Sequence, residues 1–171
     1  MDADNYRAIM RHQAGAVSVI ACGAVGARSG LTATAVASLS DRPPMVLACV
    51  NQAAGAHDEI VKANAFSVNL LSAGQQGVAE RFAGKGGLAG EARFAGLAWH
   101  RLVTGSPILD EALASLDCEL AEQHTFTTHS IFIGKVVAGA FRADAKPLLY
   151  FRGDYWDVAH GHWGPGILGK G

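Results

Sequence analysis

The segment Gly30-Leu31-Thr32-Ala33-Thr34-Ala35-Val36-Ala37-Ser38-Leu39-Ser40 constrains this chain more than any other. It runs on into Asp41-Arg42-Pro43-Pro44 and an apolar stretch from Met45 to Val50. Small hydroxyls stand at Thr32, Thr34, Ser38 and Ser40, with apolar residues between them at Leu31, Ala33, Ala35, Ala37 and Leu39. A period of two is that of a strand with one face in a core and one face open to something polar. The open face is nearly all small, so a flat ligand can approach the backbone while the hydroxyls bond its polar edge or a phosphate. A merely solvated strand has the same pattern. The polar loop Asn51-Gln52-Ala53-Ala54-Gly55, at the end of the next apolar run, favours a site because small residues at a strand end present backbone N–H donors.

The chain has 171 residues and reads as one domain, with a core over about 5–158 and a Gly-rich tail over 159–171. A domain of this size buries roughly 70% of its unfolded surface. A formal charge of -1 with 17% charged residues points to no nucleic-acid partner and no polybasic membrane contact. No apolar run reaches transmembrane length. The acidic start Met1-Asp2-Ala3-Asp4 is not the n-region of a signal peptide. Cys22, Cys49 and Cys118 lie far apart, each in a strand-like run, and read as buried thiols in a reducing cytoplasm. No His/Cys/Asp/Glu spacing matches a zinc site, so no metal is expected.

Along the chain, Asn5 to Gln13 reads as a helix with Asp4 as its cap, ended by Gly15. Val17 to Cys22 is a strand, Gly23 to Gly30 a turn, and Gly30 to Ser40 a strand. Pro43-Pro44 forces an extended turn before a fully buried strand over Val46 to Val50. Ala56 to Ala63 reads as a helix and Phe66 to Leu71 as a strand. Ser72 with Gln75 forms a capping box for a helix reaching Phe82. Leu109 to Leu113 is a short turn or helix, and Leu116 to Gln123 a strand with Leu116, Cys118 and Leu120 on one face and Asp117, Glu119 and Ala121 on the other. Ile131 to Ala138 and Leu148 to Phe151 are strands. Six or more short strands with two or three short helices, and no regular βαβ alternation, predict a mainly β fold: a small antiparallel barrel with helices at its ends.

Arg81-Phe82-Ala83-Gly84-Lys85 places two cations around an aromatic and a glycine. This is either a phosphate site with an aromatic wall or a helix C-terminus with basic residues matched to its dipole, and the residues alone favour the second. His129 precedes the strand Ser130-Ile131-Phe132-Ile133, where it is either a ligand for an anionic or amide group or a surface-turn histidine. His57, His100 and His124 read as surface-turn histidines. Ser38 and Ser40 lack a nucleophile-elbow context, and there is neither a Gly-x-Gly-x-x-Gly after a strand nor a Walker loop.

In order and spacing, a set of short motifs resembles the short-chain NAD(P)H:flavin oxidoreductase family, the flavin reductase-like proteins that serve two-component flavin monooxygenases such as 4-hydroxyphenylacetate hydroxylase. The motifs are Gly30 to Val36, Ser38 to Pro44, Phe66-Ser67-Val68-Asn69-Leu70-Leu71, Arg81-Phe82-Ala83-Gly84, Ala112 to Cys118, His129-Ser130-Ile131-Phe132-Ile133-Gly134 and Pro147-Leu148-Leu149-Tyr150-Phe151. The resemblance runs from about Asn5 to about Val158 and implies a split β-barrel, usually a homodimer, that binds FMN or FAD. It implies NAD(P)H as hydride donor and a flavin-dependent oxygenase that receives diffusible reduced flavin. Thr32, Ala33, Thr34, Ala35 and Val36 would line the flavin ring with Ser38 nearby. Cys49, Val50, Asn51, Gln52 and Ala53 would hold the ribityl and phosphate side, and the Arg81, Phe82 and Lys85 segment would complete the phosphate region. His129 would position the nicotinamide, and Tyr155 would border the same pocket.

Hydride transfer between two cofactors asks the protein chiefly for positioning, which agrees with the lack of a visible catalytic dyad. Thr127 stands where the family usually carries glycine, and threonine tolerates positive φ poorly, so this loop is expected to differ. A flavin-binding carrier or sensor of the same fold is the alternative reading. A pyridoxamine-oxidase-like barrel is disfavoured by the lack of a basic cluster for pyridoxal phosphate.

Overall fold

A computed structural model describes residues 1–158; the Gly-rich tail lies outside the described residues. Helix α1 spans Ala3–Met10, and it starts earlier than expected because Asp2, not Asp4, accepts the Asn5 backbone N–H at 2.9 Å. None of its residues is buried. Strands β1 (Gly15–Ala16), β2 (Ser18–Cys22), β3 (Ser29–Ala33), β4 (Val36–Asp41) and β5 (Pro44–Asn51) follow. Then come α2 (Ala56–Ala63), β6 (Ala65–Leu70) and α3 (Gln76–Phe82), the last preceded by a 3-10 turn over Ala73–Gln75. Gln75 accepts the Ser72 backbone N–H at 2.9 Å there, as the capping-box reading expects. The remaining strands are β7 (Trp99–Arg101), β8 (Pro107–Leu109), β9 (Ala114–Phe126), β10 (His129–Phe141), β11 (Leu148–Phe151) and β12 (Asp154–Asp157).

The fold is mainly β, and every strand pair is antiparallel. A seven-stranded sheet runs β3-β2-β6-β9-β10-β5-β4, beside a three-stranded sheet β1-β11-β12 and the pair β7-β8. The long run expected as one strand over Gly30–Ser40 is therefore two strands. They lie on opposite edges of the large sheet, with only Thr34 and Ala35 between them. Three peptide steps span at most about 11 Å, so the sheet must curl until its two edges lie close together. The edges do not pair with each other as strands.

The curl encloses one apolar cluster: Ile20, Cys22, Val46, Ala48, Val50, Ile60, Phe66, Val68, Cys118 and Phe132. A second cluster, with Val19, Ala21, Ala79, Phe82, Phe94 and Leu148, fills the other side of β2 under α3 and the three-stranded sheet. Strand β2 is thus apolar and buried on both faces. Strand β5, expected to be fully buried, alternates instead. Val46, Ala48 and Val50 face the enclosed cluster, while Met45, Leu47 and Cys49 are half-buried because no layer of the described residues covers the outer face of the sheet. Cys22 and Cys118 are buried as expected, and Cys49 is not. Asp117, expected on the polar side of β9, is buried and accepts the Thr104 backbone N–H at 2.8 Å and the Thr104 hydroxyl. Leu109 closes β8, and the turn expected between Leu109 and Leu113 falls at Asp110 and Glu111.

Candidate functional site

The curl of the sheet creates the site. Beside the link Thr34–Ala35 lies an open hollow of about 240 Å³ lined by Val17, Thr32, Ala33, Thr34, Ala83, Tyr150 and Tyr155. Strand β3 is a sheet edge, so among the described residues one side of its backbone has no strand partner. Gly15 lets β1 close the wall, since a Cβ there would sit 3.0 Å from the Thr34 Cβ. Tyr150 and Tyr155 face each other across the β11–β12 hairpin with ring centroids 5.4 Å apart. Burial raises the Tyr155 hydroxyl pKa above its ordinary value, so Tyr155 is a neutral wall at physiological pH.

Among the residues expected to form the site, Thr32, Ala33, Thr34 and Tyr155 line this hollow. Val17, Ala83 and Tyr150 were not singled out from the sequence; the pairing of Tyr150 with Tyr155 is a register fact that a single sequence does not display. The Thr32 hydroxyl donates to the Ala79 carbonyl at 2.6 Å, which ties β3 to α3 and leaves only its lone pairs to a ligand.

A second group gathers at the tip of the β9–β10 hairpin. His129 opens β10 and is exposed, and Asn51 lies directly opposite it on β5. The Gln52 backbone N–H donates to Thr128 O at 3.0 Å, and Gln52 Nε2 donates to Thr127 O at 2.9 Å. Asn51 Oδ1 accepts the Ala53 N–H at 2.8 Å and shapes the loop into α2. Thr128 Oγ1 lies 2.8 Å from His129 Nδ1. The two groups are continuous: the Cys49 N–H donates to Ala35 O at 2.9 Å, and Val36 pairs with Ala48. Asn51 is two residues further along β5, about 7 Å away.

The other expected residues sit differently. Val50 is wholly buried and offers a ligand no side chain. The Phe82 ring is 1% exposed and packs edge-on against Phe94, so it is core rather than the wall of a site. Arg81 donates to Ala95 O at 2.7 Å, and Lys85 pairs with Glu80 at 2.7 Å; this hydrogen bond is the main reason the Glu80 carboxyl pKa lies below its usual range. Both cations border a separate hollow of about 210 Å³ with Gly77, Glu80, Gly86 and Leu88. Ser38 is exposed on β4 opposite Val46. Thr127 adopts φ 43°, so the hairpin keeps a left-handed turn despite the β-branched residue. Among the described residues no group of His, Cys, Asp or Glu forms a metal site, and no helix is long and apolar enough to cross a membrane.

His57, expected as a surface-turn histidine, is buried in α2. His100 and His124 stay at the surface, paired with Asp110 and Glu122.

The family described as flavin reductase like domain matches residues 10–159. A protein from Methylorubrum populi, described as FMN reductase (NADH) RutF, is 39% identical over 150 residues, 88% of this chain and 73% of that protein. The solved structure of the flavin reductase PheA2 superposes with a TM-score of 0.85 at 30% identity, covering 94% of this chain and 100% of that one. BorF, the flavin reductase component of a bacterial two-component tryptophan halogenase, superposes with a TM-score of 0.84 at 29% identity, covering 91% and 98%.

Proposed function

The chain belongs to the flavin reductase like family, and from that membership we propose that it reduces free FMN with NADH and hands the reduced flavin to a partner oxygenase. The observation that carries this reading is the open hollow walled by Thr32, Ala33, Thr34, Tyr150 and Tyr155, joined through Ala35 and Cys49 to the tip that bears His129. Its volume, about 240 Å³, is below the roughly 300–1,000 Å³ that encloses a drug-sized ligand. It therefore suits the ring of a flavin whose ribityl and phosphate lie along Asn51 to Ala53, in the open. A planar ring with an apolar body and a polar edge matches small apolar walls beside an unpaired strand edge.

When bound, flavin supplies the hydride-accepting chemistry. The chain's residues bind and orient. Thr32 to Thr34 set the ring's approach to the backbone, and the loop from Asn51 holds the polar tail. His129 positions the nicotinamide, and the tyrosine pair keeps water from one side. Among the described residues, the only ionisable groups lining the hollow are the two tyrosines, so the design is positional rather than acid–base. Moderate affinity from an open groove suits a flavin that must leave. Arg81 and Lys85 are held by the Ala95 carbonyl and Glu80 beside a separate hollow, so this reading gives the phosphate to the loop from Asn51.

The same reading makes the curled sheet a split barrel with its seam at Thr34–Ala35, and makes the protein a homodimer. The half-buried apolar outer face formed by Met45, Leu47, Cys49, Ile131 and Ile133 is the surface a second copy would cover.

The test is oxidation of NADH and of NADPH by purified protein, with and without FMN, FAD and riboflavin, followed by nicotinamide absorbance. Turnover that requires added flavin and is fastest with NADH and FMN is expected. Flavin binding without any nicotinamide oxidation overturns the reductase reading in favour of a carrier.

A further inference from the structure

We propose that His57 is a positioning residue that clamps the His129-bearing hairpin to α2, fixing the spacing between the two halves of the site. The proposal rests on the reductase reading for its functional consequence, and on geometry for the clamp itself.

The His57 ring is 8% exposed and lies edge-on to Phe132 at 5.2 Å. Its Nδ1 is 2.7 Å from Asp58 Oδ1, and its Nε2 is 2.8 Å from Ser130 Oγ. A carboxylate only accepts, so Nδ1–H donates to Asp58; in the tautomer with its single proton on Nδ1, Nε2 accepts the Ser130 O–H. Ser130 Oγ in turn lies 3.1 Å from Thr125 Oγ1 and accepts from Gln123 Nε2 at 3.4 Å. In that tautomer the chain of donors runs from Thr125 and Gln123 to Ser130, from Ser130 to His57 and from His57 to Asp58, with Gln123 Nε2 also 3.4 Å from His57 Nε2.

The order carboxylate–imidazole–hydroxyl is that of a nucleophilic triad. Here the hydroxyl is wholly enclosed: Ser130 is 0% exposed, so no acyl substrate reaches it. The Asp58 end is solvated and contributes little, whereas the His57–Ser130 bond is dry and bridges two elements. On one side it holds α2, whose N-terminus closes the loop Asn51–Gly55. On the other it holds the residue directly after His129, on the opposite face of β10. Those are the two segments assigned to the flavin tail and to the nicotinamide. A clamp between them sets the relative position of two bound partners without touching either. Its loss is expected in kcat rather than in either binding constant, because misplacement by about 1 Å costs a transfer step far more than it costs binding.

The experiment compares His57→Ala, His57→Gln and Ser130→Ala with the wild type. Gln places a carbonyl oxygen near the Nε2 position and keeps an acceptor for Ser130. In ligand-free protein, hydrogen exchange at the Gln52 and Ser130 amides is expected to speed about tenfold in His57→Ala and Ser130→Ala, and to return towards wild type in His57→Gln. With flavin and NADH, kcat is expected to fall about tenfold in His57→Ala while the flavin Kd and the KM for NADH move less than about threefold. The double variant His57→Ala/Ser130→Ala should be no worse than either single one. Unchanged exchange in a folded His57→Ala overturns the clamp, as does loss confined to KM or to flavin affinity. If His57→Ala does not fold, Ser130→Ala and His57→Gln carry the same comparison. Wild-type protein that oxidises no NADH overturns the reductase reading, and the exchange experiment then decides the clamp alone.

Discussion

Gln52 Nε2 donates to the carbonyl of Thr127 at 2.9 Å, and so the loop after β5 holds the first residue of the hairpin turn that leads to His129. Thr127 sits at φ 43°, a region that costs an L-residue with a Cβ about 1–2 kcal/mol. The β9–β10 connection has two residues, Thr127 and Thr128, with positive φ at the first, the position where such turns prefer glycine.

Thr127→Gly should therefore stabilise the protein. Relief of about 1–2 kcal/mol is offset by about 0.5–1 kcal/mol of added freedom in the unfolded chain, for a net gain of roughly 0.5–1 kcal/mol. Thr127→Ala keeps the Cβ and should stay within about 0.5 kcal/mol of wild type. Urea midpoints at unchanged slope check both, and a loss of stability in Thr127→Gly would show that the threonine side chain is what holds the turn.

His129→Ala should raise the KM for NADH several-fold and leave the flavin Kd nearly unchanged. The imidazole is exposed at the hairpin tip, with Nδ1 against Thr128 Oγ1, so its removal leaves no buried partner unsatisfied. Steady-state kinetics with separately measured flavin binding separate the two effects. Equal loss of both would remove the nicotinamide assignment.

Elements that depend on local pattern were legible in the sequence. Helix α2 begins and ends at the expected residues, because its apolar spacing is local, and His129 opens its strand as read. What failed depends on distant partners. The period of two lapses only at Val36, an apolar residue in a hydroxyl position, and no glycine or proline marks the switch at Thr34–Ala35 from one sheet edge to the other. His57 is polar and follows a glycine-containing loop, so locally it reads as surface. Its burial comes from Ser130, 73 positions later. Phe82 lies between Arg81 and Lys85 in sequence but packs into the second cluster against Phe94 and Trp99. Of the hollow's walls, the β3 residues were visible as small alternating side chains. Tyr150 was hidden because only strand register pairs it with Tyr155.

The Arg28–Glu91 pair predicts an acid limb in the stability profile. Arg28 donates through its Nε at 2.9 Å and its backbone N–H at 2.7 Å to Glu91, and this hydrogen bonding holds the carboxyl below its ordinary 4.5. A depressed folded pKa contributes stability above the unfolded value that is lost as pH falls through the folded one. The loss should thus begin near pH 4.5 and grow below it. About a third of the Glu91 side chain is in water, so screening keeps the effect to roughly 1 kcal/mol or less. Thermal midpoints of Glu91→Gln and wild type should differ at pH 7 and converge towards pH 3. A constant difference over that range would place the contribution in packing.

Thiol reactivity should single out Cys49. Burial pushes the Cys22 and Cys118 thiols up to about 12, so at pH 8 only about one in 10⁴ of either is thiolate. Cys49 is half-buried on the outer face of β5. An aromatic disulfide reagent at pH 8 should titrate one thiol in the native protein and all three of Cys22, Cys49 and Cys118 in denaturant. Covering of the outer face by a second copy would slow the native reaction at high protein concentration, and dilution would restore it.

Gly30 sets the height of β3 over the core. A Cβ there would lie 2.8 Å from Ile20 O and 2.9 Å from Phe82 Cε1. Neither can yield, since one is backbone in the β2–β3 ladder and the other is a fully packed ring. Gly30→Ala should cost about 2–3 kcal/mol, at the upper end for overpacking, and should push Thr32 away from the Ala79 carbonyl that it bonds at 2.6 Å. Flavin affinity should fall with it, because Thr32 to Thr34 move as one edge. Gly77→Ala, with nothing within 4 Å of the new Cβ and a helical backbone in α3, should instead stabilise by about 0.5–1 kcal/mol. Urea unfolding and flavin fluorescence titration on the two variants separate these outcomes. A Gly30→Ala protein that binds flavin like wild type would detach the ring site from the edge of β3.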